Sequence, residues 1–471
     1  MDQKKLSFST KSGYGLGQAT ISVHDTAFNT FILFYYTSVL GLSGSLAGAA
    51  IAIGLCFDAV SDPVMGHISD SFRSRFGRRH PFMAVSIIPL AISYFALFAP
   101  VSGLSDFSLF MWLTVCLIIV RSFYTVFAVP YLALGAEITE DYEERTTVST
   151  YRITTGWFIG IITVVVGYAV FFPKTAKFEM GQMNPAGYPG FGLFCAVLMA
   201  VTAIACIFLT RKEIPRLLSS SGPQEAMGIV RFFADLRLVL KNHSFKVFFI
   251  SFLVSGMIIG VTLTLALHMN TYFWELRSED LKLLMSSMLI SAVIAFPLLK
   301  WLERYDKKKL FMALSMLFIF GQLLITARLF DLLPPNGSSL LFVLIYMQNT
   351  FFATIAIMVL TITSSILADT VDEGELENNI RQEGLYFAFL NFGTKVNIAL
   401  GAFIAGMIIE FIKLPANVAP EAVDPAVIWK LGLFCGPIFG TAWLIPILII
   451  SRLKLTRTRM AEIRSELNNR K

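Results

Sequence analysis

Twelve apolar stretches, each long enough to cross a bilayer, recur along this chain and leave it little choice of environment. A helix needs roughly 20 apolar residues to span the hydrocarbon core. Such stretches fall at 15–40, 44–66, 82–101, 107–135, 153–172, 190–210, 246–270, 283–302, 309–330, 338–367, 385–412 and 427–451. Composition agrees. Only 15% of the residues are charged, where a soluble chain carries about 25%. The 43 phenylalanines and 14 tyrosines suit lipid-facing surfaces and interface belts. The expected fold class is an all-α membrane protein.

The net charge of +6 does not point to nucleic acid, because the basic residues lie in short clusters between apolar stretches. Lys4, Lys5 and Lys11 precede the first stretch. Arg73, Arg75, Arg78 and Arg79 follow the second, and Arg145 and Arg152 the fourth. Arg211, Lys212 and Arg216 follow the sixth, and Arg304 and Lys307 to Lys309 the eighth. Arg381 follows the tenth, and the segment 452–471 is basic as well. The alternate loops hold only Lys174, Lys177, Arg277, Lys282 and Lys413. This alternation predicts an even number of spans with both termini cytoplasmic. Cys56, Cys116, Cys195, Cys206 and Cys435 all lie in apolar stretches without metal-type pairing and read as small buried hydrophobes. The polar N-terminus carries no cleavage pattern.

The longest polar connection, about 211–243, divides the spans six and six. We expect an N-terminal bundle over 1–210, a cytoplasmic linker over 211–244, a C-terminal bundle over 245–455 and a cytoplasmic tail over 456–471. Within the linker, Gln224–Leu240 has apolar residues placed to lie on the membrane surface. A weak repeat supports two halves. Arg78-Arg79-His80-Pro81-Phe82-Met83-Ala84 follows the second span and Lys307-Lys308-Lys309-Leu310-Phe311-Met312-Ala313 the eighth, and Phe82 and Phe311 lie 229 residues apart. Two similar six-helix halves are the signature of a major-facilitator architecture.

Several ionisable residues fall well inside spans: His24, Asp25, Asp58, Asp62, Arg121 and Lys395. Buried charge of this kind costs on the order of several kcal/mol and faces a bundle interior or a water-filled cavity. Asp58 and Asp62, at i and i+4, share a helix face and repel each other. A small cation that is bound and released would offset that cost, and hard cations prefer oxygen ligands. Ser61, Thr125 and the carbonyl of Ala59, which loses its helical partner to Pro63, could complete such a site. The alternative is that one aspartate pairs with a nearby arginine. Arg121 could bind an anionic substrate or neutralise Asp25 or Asp58. Lys395, near mid-span, is either a substrate or coupling residue or a structural partner for an aspartate. His24–Asp25 is either a proton-sensitive pair or a packing feature. Gly13-Tyr-Gly-Leu-Gly17 follows no strand and is not read as a phosphate loop. There is no HExxH, GxSxG or P-loop, so neither an enzyme nor an ATP-driven pump is expected.

The chain resembles the glycoside–pentoside–hexuronide:cation symporters, the melibiose-permease-like branch of the major facilitators. The resemblance runs over essentially the whole chain. It is carried by Tyr14-Gly15-Leu16-Gly17, Phe34 to Leu42, Asp58-Ala-Val-Ser-Asp62-Pro-Val-Met-Gly66, Arg73 to Pro81, Val129-Pro-Tyr, Glu144-Arg145, Tyr151-Arg152, Ala368 to Glu375, Arg381 and Phe392-Gly-Thr-Lys395. It implies twelve helices in two six-helix bundles and coupling to Na⁺ or H⁺ with no other cofactor. A small-molecule sugar or glycoside would be imported by alternating access through a bacterial inner membrane, by a monomer. It implies cation binding by Asp58 and Asp62, with Ser61 and Thr125 beside them. Lys395 and Arg152 would lie near the sugar, and Arg145 and Arg381 would act in gating. Where melibiose-permease-like members carry sugar-binding aspartates, this chain has Ser22 and Ala128, and Asp25, near Ser22, is the candidate to stand in for a lost acid. Loss of two acids with Arg121 and Lys395 present suits a neutral sugar or a uronide. The runner-up cargo is a lysolipid, which related animal proteins move on the same Asp-x-x-x-Asp scaffold. A membrane-embedded enzyme or receptor is the remote third reading.

Overall fold

The computed structural model describes residues 6–139, 141–215, 241–302, 304–378 and 383–470. The amphipathic segment expected at Gln224–Leu240 and the gating candidate Arg381 lie outside them. The chain divides into two units, Met1–Ile229 and Val230–Lys471.

The first unit holds α1 (Phe8–Phe34), α2 (Gly44–Ser71), α3 (His80–Phe98), α4 (Asp106–Glu137), α5 (Tyr142–Val166) and α6 (Gly187–Thr210). The second holds α7 (His243–His268), α8 (Ser278–Leu302), α9 (Lys307–Leu329), α10 (Ser339–Asn378), α11 (Glu383–Phe411), α12 (Pro425–Ile450) and a last, polar helix, α13 (Arg457–Arg470). Among the described residues, 11 helical segments are apolar and long enough to cross a membrane. The twelfth expected span is α1, whose 27 residues suffice in length but whose Lys11, His24 and Asp25 lower its hydropathy.

Polar side chains start these helices. Ser7, Ser43, Ser105, Asp141, Asn242 and Asp306 each accept a hydrogen bond from a backbone N–H of the first turn, satisfying donors that have no intrahelical partner. The Asp141 cap begins α5 well before its apolar stretch, and α10 likewise runs past its own. The helices therefore overshoot the spans expected from hydropathy, because a capped polar extension costs nothing outside lipid.

Helix pairing repeats between the units. In the first, α1 packs on α5 and α6, α2 on α4, and α3 on α4 and α6. In the second, α7 packs on α11 and α12, α8 on α10, and α9 on α10 and α12. The ionic locks repeat too. Arg78, before α3, pairs with Glu137 at the end of α4, and Lys307, opening α9, pairs with Asp369 on α10 at 2.6 Å. Arg79 reaches both Glu137 and Asp70 at 2.5 Å.

The Gly-Tyr-Gly-Leu-Gly run packs helices. A Cβ on Gly17 would collide with the Tyr131 ring and approach Cys206 Sγ at 2.8 Å. Tyr14 stacks on Tyr131 at 4.7 Å, and the Tyr131 hydroxyl donates to the Tyr14 carbonyl at 2.8 Å. Cys116, Cys195, Cys206 and Cys435 are buried as expected, but Cys56 is exposed. It lies beside the stripe Ile53, Phe57, Val60 and Val64, the outward apolar face of α2. The opposite face carries Ile51, Leu55 and Asp58 inward.

The basic C-terminal segment, the expected tail, forms α13 and docks on the second unit. Met460 and Ile463 enter its core, Arg464 pairs with Asp369 at 3.2 Å, and the Arg457 N–H donates to Asp306 at 2.9 Å.

Candidate functional site

The charged residues of the first unit converge where α2 packs on α4, with α1 beside them. On α2, Asp58 and Asp62 do lie one turn apart, but each has its own partner on α4. The Arg121 guanidinium donates through Nη1 to Asp58 Oδ2 at 3.1 Å. One turn further along α4, Thr125 Oγ1 donates to Asp62 Oδ1 at 2.8 Å. Ser61 Oγ lies 3.4 Å from Thr125 Oγ1. The i, i+4 spacing on both helices thus builds two rungs, one ionic and one hydroxyl–carboxylate.

Burial separates the rungs. Asp58 is 2% exposed and Arg121 6%, whereas Asp62 and Ser61 are half-buried. Of the alternatives open for Arg121, the geometry is that of the Asp58 partner, within the span. A buried carboxylate without such a partner would be strongly disfavoured. The lower rung offers a carboxylate and two hydroxyl oxygens, a donor set that fits a small hard cation.

Toward α1 the cluster continues through aromatic rings. The Arg121 guanidinium lies 4.5 Å from the centre of the Phe28 ring and 5.9 Å from that of Tyr124, a cation–π arrangement. His24 is fully buried, stacks on Tyr124 at 4.2 Å and holds Asp25 Oδ1 through Nδ1 at 2.8 Å. The Tyr124 hydroxyl donates to Asp25 Oδ2 at 3.4 Å, and the Tyr94 hydroxyl to the His24 carbonyl at 3.0 Å. The Asp25 side chain stays 45% exposed, so a carboxylate flanked by rings faces open space.

The other candidates are distributed over α1, α4, α5 and α11. Ser22 is half-buried, with its hydroxyl against α5, where a Cβ on Gly156 would come within 2.8 Å of it. Ala128 sits in the apolar core with Phe127 and Tyr131. Arg152 is half-buried on α5. Arg145 lies in the first turn of α5, and its guanidinium donates to the carbonyls of Thr139 and Ala136 at 3.1 and 3.3 Å, capping the end of α4. Lys395 is half-buried on α11 of the second unit. Tyr124 escaped the sequence reading. Its position three residues from Arg121 on one helix was the available signal.

Residues 13–457 match the family described as MFS/sugar transport protein. An isoprimeverose transporter of Lactiplantibacillus pentosus is 24% identical, over 88% of this chain and 82% of that protein. A sodium-dependent lysophosphatidylcholine symporter of Danio rerio is 23% identical, over 93% and 84%. Among solved structures, a mutant form of the nucleoside transporter NupG superposes with a TM-score of 0.65 at 17% identity, covering 95% of this chain and 99% of that one. At that identity the likeness speaks for the fold alone, the major-facilitator fold.

Proposed function

The chain belongs to the MFS/sugar transport protein family, the glycoside–pentoside–hexuronide:cation symporters, and from that premise we propose that it imports a sugar or glycoside together with a cation by alternating access. It is an integral membrane transporter and not an enzyme. The observation that carries the finer reading is the cluster on α1, α2 and α4. It holds a half-buried carboxylate with two hydroxyls at Asp62, Ser61 and Thr125, beside a second carboxylate, Asp25, set among rings.

In this reading Na⁺ or H⁺ loads at Asp62, with Asp58 supplying field and support. Asp25 accepts hydrogen bonds from sugar hydroxyls while Tyr124 offers a ring edge, the mixture of apolar wall and few polar groups that small-molecule sites use. The Arg121 charge is engaged by Asp58 at 3.1 Å. That favours a neutral sugar over a uronide, since an acidic cargo would have to compete for it. Lys395 and Arg152 are assigned to substrate binding and Arg145 and Arg381 to gating, with both termini cytoplasmic in a bacterial plasma membrane. Coupling is a free energy shared between two sites, so cation and sugar raise each other's affinity by the same factor.

The test is a thermal-stability screen of the purified protein against sugars and lysolipids, with and without Na⁺ and at two pH values. A sugar-specific stabilisation that grows with Na⁺ or with acidity is expected. Stabilisation by lysolipid alone would turn the assignment to an amphiphile.

A further inference from the structure

We infer that His24 is a positioning residue: its imidazole, protonated on Nδ1 and bare on Nε2, fixes the Asp25 carboxylate as a hydrogen-bond acceptor for adjacent hydroxyls of a neutral polyol. The inference rests on the sugar-symport reading above and deepens it, by naming what orients the group that meets the sugar.

Three observations carry it. First, the ring is locked. His24 is 0% exposed, stacks on Tyr124 at 4.2 Å and on Phe28 at 5.8 Å, and lies 5.5 Å from the Tyr94 ring. Its carbonyl accepts from the Tyr94 hydroxyl at 3.0 Å, which ties this turn of α1 to α3. Second, its two nitrogens differ. Nδ1 lies 2.8 Å from Asp25 Oδ1, an oxygen that only accepts when the carboxylate is ionised. Nε2 is buried with no hydrogen-bond partner among the described residues, so a proton there would be an unsatisfied donor between rings. One proton, on Nδ1, meets both conditions. Third, the carboxylate it holds is open: the Asp25 side chain is 45% exposed, against 0% for that of His24.

An ionised carboxylate has about four acceptor sites. His24 fills one on Oδ1, and the Tyr124 hydroxyl, at 3.4 Å, one on Oδ2. Each oxygen keeps a lone pair for a ligand, an arrangement that suits two neighbouring hydroxyls of a sugar. Both holding donors are neutral, so they orient the carboxylate without cancelling its charge. Hydrogen bonds to a charged acceptor are roughly twice as strong as those between neutral groups. A ring already fixed by packing also loses no side-chain freedom when a ligand arrives.

The experiment uses full-length purified protein in two arms. In the first, histidine is labelled with ¹³C and ¹⁵N and valine with carbonyl ¹³C. Val23–His24 is the single Val–His pair of the chain, so the His24 ring is assigned without a variant. Its ¹⁵N shifts at neutral pH are expected to show Nδ1 protonated and Nε2 unprotonated. A proton on Nε2, or on both nitrogens, overturns the inference. In the second arm, thermal stability reports binding of isoprimeverose. His24→Asn keeps an N–H near the Nδ1 position, whereas His24→Gln carries its amide out toward Nε2. His24→Asn is expected to bind within a few-fold of wild type, and His24→Gln about 10-fold or more weakly, as for loss of a hydrogen bond to a charged group. Equal binding by the two variants, or equal loss in both, assigns His24 to packing and overturns the inference. Where neither variant folds, the ring signal decides. Should no form, wild type included, bind isoprimeverose while Nδ1 carries the proton, the orientation of Asp25 stands and the sugar reading fails for that sugar.

Discussion

The Asp58–Arg121 rung can be tested by a double-mutant cycle on stability. At 3.1 Å and an effective dielectric of about 20, Coulomb attraction between the two charges is about 5 kcal/mol. Desolvation of both groups offsets much of it, so replacing the whole pair by neutral groups is near neutral. Removing one partner is different, because it takes the counter-charge at 3.1 Å away from a group that is only 2% (Asp58) or 6% (Arg121) exposed. Arg121→Gln and Asp58→Asn should each cost about 3–5 kcal/mol, and the double variant much less than their sum. The assay is equilibrium unfolding in mixed micelles of increasing SDS fraction, followed by tryptophan fluorescence, for wild type, both single variants and the double. A coupling energy of about 3 kcal/mol or more is expected. Additive losses, with the double variant as unstable as the two singles summed, would refute the claim that the charges compensate each other.

Three further outcomes follow from the packing and the lower rung. Thr125→Val removes the hydroxyl donated to Asp62 and should cost about 1.5–3 kcal/mol, as for a hydrogen bond to a charged group; Thr125→Ser should keep both stability and Na⁺ response in the same melts. Gly17→Val drives a side chain into Tyr131 and Cys206 and should cost about 1–3 kcal/mol or more by overpacking, read as a lowered melting temperature with no change in cation dependence. Ile463→Ala, at a fully buried position of α13, should cost about 2–5 kcal/mol. If α13 were a free tail, that substitution would leave the melting temperature unmoved.

Span number and the two-half organisation were legible because hydropathy at bilayer length and the alternation of basic loops are properties of the chain itself. The repeated lock was half legible. Arg78 and Lys307 stood at equivalent places, but their partners Glu137 and Asp369 lie 59 and 62 residues further along the chain, and only packing brings them near. The same limit governed the site. Spacing put Asp58 and Asp62 on one face and the family resemblance put Thr125 beside them, yet Arg121 stayed open between an anionic substrate and neutralising Asp25 or Asp58. The register of α2 against α4 decides that question, and no local pattern encodes it. Likewise, the basic segment 457–470 read only as a tail, and its docking depends on Met460 and Ile463 meeting a core assembled from the other helices of its unit. Cys56 misled for a related reason. In a membrane chain an apolar neighbourhood in sequence does not distinguish the buried face of a helix from its exposed one.

The central claim, that cation movement through Asp62 drives sugar uptake, is tested most directly in proteoliposomes. Accumulation of a sugar identified by the stability screen is measured under an imposed inward Na⁺ or proton gradient, for wild type and Asp62→Asn. The account predicts that wild type concentrates the sugar while the gradient lasts, and that Asp62→Asn only equilibrates it. Gradient-driven accumulation by Asp62→Asn at the wild-type level would contradict it.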